Sequence, residues 1–416
     1  MSERNSILVL THWSFQDALI QTYTLPYVRM IRKKIAPERK LILVTFEQEH
    51  LKMDPLFQKQ QELLLSQSGI ELLTLKYSKM NLSFPFRVTG YFSKLLSTIR
   101  NNKIGIIHAW CTPAGSFGYL LSKLTGCKLV IDSYEPHAEA MVENKTWSRE
   151  SFRFKLLFYL EKKLSRHAKV LISATAGMRE YAERKYNFKV KNFLVKPACV
   201  DLSDFSLQRK KNKNLTAELN LENKIVAVYA GKFGGIYLTK EVFELLKTAE
   251  NKWGENFRAL LLTNHDQEEI RRWAKEAGFP SDKIICKFVY HHEVNDYMGL
   301  ADFAITPVKP VPTKRYCSPI KDGEYWALGL PVIITKDISD DSSIIETENI
   351  GAVLKELNES GYKSAIDKID TLLKEGPSLP IRISSIAKKY RSMEIAEGVY
   401  DKVYATDFFK STEKFT

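Results

Sequence analysis

The sequence predicts an α/β protein of two doubly wound, Rossmann-like domains facing each other across a cleft. Short apolar runs of strand length alternate with longer stretches of helical period, which implies parallel strands joined by crossover helices. The alternation stops at a polar, charge-dense stretch, QRKKNKNLTAELNLENK, and then starts again. A chain of 416 residues also exceeds what one core fills and suits two domains.

In chain order, the first set of strands is SILVL, LILVTF, IELLTL, IGIIHAW, KLVIDS, KVLISAT and NFLVKP, with helix-length segments between most of them. The polar stretch reads as a linker, with a seam near residues 200–222. The second set is IVAVYAG, FRALLLTN, KIICKFV, DFAITPV, PVIITK and GAVLKEL, separated by helical patterns such as KEVFELLKTAENKW and EEIRRWAKEAG. The domains expected are 1–205 and 206–394. Ligands of open α/β sheets bind at the carboxyl ends of strands, so the loops after strands are where chemistry is sought.

Composition narrows the partners. With 44% hydrophobic and 27% charged residues the chain is of the folded globular class. No apolar run reaches the ~18 residues that span a bilayer, and the first residues are too short in their apolar part for a secretory signal; a cytoplasmic protein is expected. Five scattered cysteines without a CxxC pair speak against a disulfide framework or structural zinc. The formal charge of +13 suits an anionic partner. The stretch RVTGYFSKLLSTIRNNK, residues 87–103, fits either an anionic membrane surface, at the inner face of the cell membrane, or an ordinary amphipathic helix. No nucleic-acid-binding module is visible.

Two loops of the second half carry most of the chemistry. GKFGGIY follows IVAVYA, and its glycines, from Gly231 on, let a ligand approach the backbone while Lys232 adds a charge. It matches neither a dinucleotide fingerprint nor a P-loop. The second loop reads CSPIKDGEYWALGLPVI. Ser318 stands where an N-cap belongs and Pro319 where a helix begins, with Lys321 in the first turn and Glu324 one turn on. A lysine beside a carboxylate suits a ligand with both an anion and vicinal hydroxyls, such as a nucleoside diphosphate. The alternative is a plain i, i+3 ion pair.

The run SPIKDGEYWALGLPVI resembles the donor-site signature of GT-B glycosyltransferases of the retaining family 4, in its S/T-P-x-K-x-x-E-Y variant. VYAGKFGG resembles the family's first phosphate-contacting loop, and FVYHHEVNDYMGLADFAITP the segment where a strand end meets the nucleobase. VLISATAGMREYAERKYN and FLVKPACVDLSDF resemble the end of the N-terminal domain and the turn into the next. The likeness extends over roughly residues 100–400. It implies an N-terminal acceptor-side domain, a C-terminal nucleotide-sugar donor domain, and a last helix, 395–416, crossing back onto the first domain.

The resemblance places Glu324 on the ribose hydroxyls, Ser318 and the adjoining helix amides near a phosphate, and Gly231 and Tyr325 among the substrate-binding residues. Lys232 and Lys321 neutralise the departing diphosphate, with no essential metal or other cofactor, and His137 contacts the donor sugar. The chain departs from the pattern in three places. Tyr316 stands eight residues before Glu324 where a glutamate is usual, the next lysine after Lys232 is Lys240, and the loop THWSFQDALIQTY lacks glycine.

His137 lies in KLVIDSYEPHAEAM with Asp132, Glu135 and Glu139, a group that also fits a surface charge cluster. His108 is the next candidate, or else a hydrogen-bonded core histidine. The adjacent His291 and His292 cannot share one metal on a strand, and are placed near the nucleobase or in an exposed loop. Asp337, Asp340 and Asp341 read as a polar loop.

The function implied is retaining transfer of a sugar from a nucleotide-sugar donor to a hydroxyl of a cell-surface glycan or lipid-linked acceptor, as in polysaccharide or lipopolysaccharide biosynthesis. The alternatives are a non-catalytic GT-B protein that binds a glycan or partner enzyme, and a nucleotide-sugar epimerase.

Overall fold

The structure is a computed structural model that describes residues 5–77, 84–290 and 292–405. His291 lies outside the described residues, as do residues 406–416 of the expected crossing helix. The chain divides into two compact units, Met1–Lys196 with Ala396–Thr416, and Pro197–Ile395. No described helix is long and apolar enough to cross a membrane.

Unit 1 holds a seven-stranded parallel sheet: β1 Ser6–Leu10, β2 Leu41–Glu47, β3 Ile70–Lys76, β4 Ile104–Trp110, β5 Lys128–Asp132, β6 Val170–Ser173 and β7 Phe193–Val195. Their order across the sheet is β3-β2-β1-β4-β5-β6-β7. Strands covered on both faces read as unbroken apolar runs, and Ile7 to Leu10 and Leu41 to Val44 are all buried. The order reverses direction between β1 and β4, so the loops after those two strands splay apart and leave a crevice at their carboxyl ends.

Unit 2 repeats the plan with six strands: β8 Ile225–Ala230, β9 Phe257–Leu262, β10 Ile284–Lys287, β11 Phe303–Thr306, β12 Val332–Thr335 and β13 Gly351–Leu354. The order is β10-β9-β8-β11-β12-β13, with the reversal between β8 and β11. The loop from Gly231 thus opens at the switch point of its sheet.

The stretch read as a linker is packed into unit 2. Lys211 is the reason: its backbone N–H donates to the Gly299 carbonyl at 3.0 Å, and its ammonium meets the Leu300 carbonyl at 2.7 Å and Asp302 at 2.9 Å. A polar, lysine-rich composition records solvent exposure of side chains and misses such backbone anchors.

Unit 1 closes on a buried polar cluster. Asp132, at the end of β5, lies 3.3 Å from the Lys196 ammonium and accepts from the Tyr400 hydroxyl at 2.8 Å. Its other neighbour is His108 Nε2 at 3.3 Å, while His108 Nδ1 meets the Tyr404 hydroxyl at 2.6 Å. His108 is therefore the core histidine of the two readings open to it. Burial pushes the Asp132 carboxyl up, but Lys196, His108 and Tyr400 outweigh it and hold the group down at about 2. The Lys196 ammonium also stands 3.8 Å from the centre of the Tyr27 ring, a close cation–π contact.

A second buried carboxylate behaves in the opposite way. Glu161, in the helix Phe152–His167, accepts from the Ala138 N–H at 2.8 Å and lies 3.0 Å from the Tyr186 hydroxyl. Burial pushes it up to about 8, against the pull of those hydrogen bonds. The folded protein then holds a proton that the unfolded chain has lost between roughly pH 4.5 and 8, so stability falls as pH rises through that window and levels off above it. Glu161→Gln is expected to flatten this slope and to make the protein more stable than the wild type at pH 8.5, by about 2–4 kcal/mol. Urea unfolding at pH 5, 7 and 8.5 reads it.

Candidate nucleotide-sugar site

In unit 2, the loop after β8 begins at Gly231, where a Cβ would stand 2.9 Å from the Tyr229 hydroxyl, so that a side chain there would have to displace the end of that ring. Gly234 and Gly235 follow with φ of 75° and 58°, left-handed values that favour glycine. The loop is held from its far side by His265, whose Nε2 accepts from the Phe233 N–H at 3.0 Å. That bond fixes the tautomer: Nδ1 carries the proton and faces Glu269 at 3.3 Å. His265, in the loop after β9, escaped the sequence reading because a lone histidine after a strand carries no spacing signal.

The Ile320–Ala327 helix faces this loop. Tyr325, expected among the substrate-binding residues, is instead fully buried, and its hydroxyl accepts from the Ala230 N–H at 2.9 Å. It docks the helix on the end of β8. Ser318 also departs from expectation. The helix starts one residue later than predicted, with Pro319 as its N-cap and no side chain capping it. The Ser318 hydroxyl accepts from the Ala198 N–H at 3.0 Å and from the Arg391 guanidinium, so it serves the packing of unit 2. Among the described residues no side chain caps the helix start, an arrangement that favours an anion.

Between loop and helix lies a cavity of about 300 Å³, lined among others by Gly231, Lys232, Thr263, Val289 and Lys321. Lys232 is exposed and makes no ion pair among the described residues. Lys321 and Glu324 pair at 2.5 Å, the lysine side chain 34% exposed and the glutamate 7%. The plain ion-pair reading is thus present in the structure. It does not exhaust the lysine, because an ammonium has three donors and this one also lines the cavity. Tyr316 is buried just upstream. Lys240 belongs to the next helix, where it pairs with Glu244 at 3.1 Å.

Beneath the helix, Asp322 is fully buried and accepts from the Thr306 hydroxyl. Asp341, expected in a polar loop, is 1% exposed and paired with Arg391. Burial, reinforced by Asp341, raises the Asp322 carboxyl well above its ordinary range. One proton and one guanidinium thus serve two carboxyls in a dry setting. Among the described residues, no group of three histidine, cysteine, aspartate or glutamate side chains is arranged to hold a metal ion.

In unit 1, His137 opens the helix His137–Glu143 and holds Glu135 Oε1 at 3.0 Å through Nδ1. Glu139 is buried and paired with Lys185 at 3.3 Å, so it does not share this group. His12, in the glycine-free loop after β1, was not singled out in the sequence. Its Nδ1 lies 3.3 Å from the Cys111 sulfur, at the start of the helix that directly follows β4. Burial first and His137 second push His12 down to about 4, against Glu135, while burial pushes the Cys111 thiol up. Both groups are neutral near pH 7, so the pair is no thiolate–imidazolium nucleophile. His12, Glu135 and His137 leave a polar, hydrogen-bonding rim at the switch point of sheet one.

No protein-family model matches the sequence, and no curated protein matches it either. Solved structures match along the whole chain. A glycosyltransferase from Rickettsia africae aligns over 100% of both chains at 14% identity with a TM-score of 0.70. A sucrose-phosphate synthase from Thermosynechococcus elongatus covers 98% of this chain and 100% of its own, at 14% identity and 0.71. HepE of Anabaena, in complex with UDP, covers 96% of this chain and 99% of its own, at 14% and 0.69. The chain shares their two-domain fold. An identity of 14% carries fold and not activity.

Proposed function

We propose that the protein is a retaining glycosyltransferase of the family 4 kind, which moves a sugar from a nucleotide donor to a hydroxyl of a glycan or lipid-linked acceptor. The observation that carries this reading is the cavity of unit 2, where a glycine loop, Lys232, Lys321 and an uncapped helix start converge at the sheet's switch point. The UDP held by HepE, a protein of the same fold, supports a nucleoside diphosphate as the ligand class.

In this reading the two lysines and the helix amides stabilise the diphosphate oxygen that receives the electron pair of the breaking glycosidic bond. Glu324 accepts from the ribose hydroxyls. The lysines meet the need for positive charge, so turnover is expected to persist in chelator.

The test is titration of the purified protein with UDP, GDP and ADP and their common sugar conjugates, followed by product analysis with and without acceptor glycans. Binding of no member of the panel overturns the reading. Release of an epimerised nucleotide sugar without acceptor assigns an epimerase instead, and binding without any turnover a non-catalytic role. His265→Ala is expected to weaken nucleotide binding about tenfold, because the Phe233 amide loses its partner and the glycine loop its anchor. Calorimetric titration measures it.

A further inference from the structure

We propose that the outer face of the helix Phe152–His167 is a docking surface for an anionic lipid bilayer. The surface belongs to unit 1 alone and stands whether or not the protein transfers sugars.

The inward side of this helix is settled by Phe154, Glu161, Leu164 and Ser165, all buried. At 3.6 residues per turn the opposite side carries Phe152, Leu156 and Tyr159, which are 76%, 39% and 54% exposed. Lys155 and Lys162 border this stripe on one side and Arg153 on the other, Lys163 lies in line with it one turn beyond Tyr159, and none of the four makes an ion pair among the described residues. Lys163 instead leans over the Tyr159 ring at 5.3 Å. The helix has one acidic residue, Glu161, and it faces inward.

The neighbouring helix Cys111–Thr125 is tied on through Ser122 Oγ and His167 Nε2 at 2.8 Å.

An apolar centre with aromatic residues, bordered by Arg153, Lys155, Lys162 and Lys163, which outnumber the exposed Glu150 near Lys155, matches the boundary of a membrane with acidic headgroups. Rings and aliphatic chains enter the acyl edge while long cationic side chains reach back to the phosphates. A nucleic acid would use the cations and leave the apolar centre wet. In the stretch 87–103, a membrane candidate by sequence, the described side chains form no such centre: Leu95 and Ile99 are buried, and Ser93, Lys94, Ser97 and Arg100 face solvent.

The experiment is co-sedimentation of the full chain, without nucleotide, with vesicles of phosphatidylcholine alone or mixed with phosphatidylglycerol. Binding is expected only to the mixed vesicles, and to weaken with salt. Phe152→Ser with Tyr159→Ser is expected to lower it about tenfold, as is Lys155→Glu with Lys163→Glu. Lys363→Glu with Lys368→Glu, an equal change of charge in unit 2, is expected to keep it. These side chains are at the surface, so circular dichroism is expected to show every variant folded. No sedimentation with the mixed vesicles overturns the proposal, as does equal binding by all three variants. Retention of an oligonucleotide through the same lysines, with vesicles ignored, assigns the face to nucleic acid and also overturns it.

Discussion

Replacing Arg391 by methionine is expected to lower the unfolding free energy by about 3–5 kcal/mol, the largest stability effect of any single change considered. The guanidinium is 1% exposed and joins three elements of unit 2: Asp341, the Ser318 hydroxyl, and the Ala198 carbonyl at 3.2 Å. Methionine fills much of the volume but leaves Asp341 as a buried charge with no counterion. Asp322, raised by burial and by Asp341, already carries the one proton the group can share. Adding Asp341→Asn to Arg391→Met removes the stranded charge and is expected to recover half or more of the loss. Urea unfolding of the two single variants and the double variant reads the coupling. Equal and additive losses would show that Arg391 acts through packing alone.

The largest functional effect is expected at Lys321. Lys321→Ala should lower turnover about 100- to 1000-fold, as expected for a group that meets charge developing on a leaving group. Binding of UDP should weaken less, by about 1.5–3 kcal/mol. The change does more than remove one cation. Glu324, 7% exposed, is left unpaired, and in the proposed reading its charge then repels the diphosphate. The double variant with Glu324→Gln is therefore expected to regain part of the UDP affinity and none of the turnover. Lys232→Ala, where no carboxylate is stranded, should show a smaller loss of affinity and no rescue. Calorimetry and initial rates of sugar transfer separate the cases.

The sheets were legible in the sequence because their central strands are covered on both faces, and thirteen apolar runs became thirteen strands, the partly exposed edges β3, β7 and β10 included. The Gly231 loop and the pair Lys321 and Glu324 were legible for a similar reason, since each is a short-range pattern tied to a strand end. What was not legible depends on partners far along the chain. Ser318 has the look of an N-cap, but its hydroxyl is taken by Arg391, 73 residues on. Asp341 reads as loop polarity until the same arginine, 50 residues on, turns it into a core ion pair. His12 and His265 are single polar residues whose meaning comes only from the Cys111 thiol and the Phe233 amide that they face.

The cluster around Asp132 bears on the order in which the protein can be made. Its carboxylate needs Tyr400, and His108 needs Tyr404, yet both tyrosines are translated after the whole of unit 2. An emerging chain therefore holds β1 to β7 with His108 and Asp132 short of two hydroxyl partners, and with the seat of the final helix open to water. Unit 2, contiguous from Pro197 to Ile395, has no such wait. The second-made half of the molecule is in a position to finish folding first, and the first-made half is sealed only when the helix that carries Tyr400 and Tyr404 has been made.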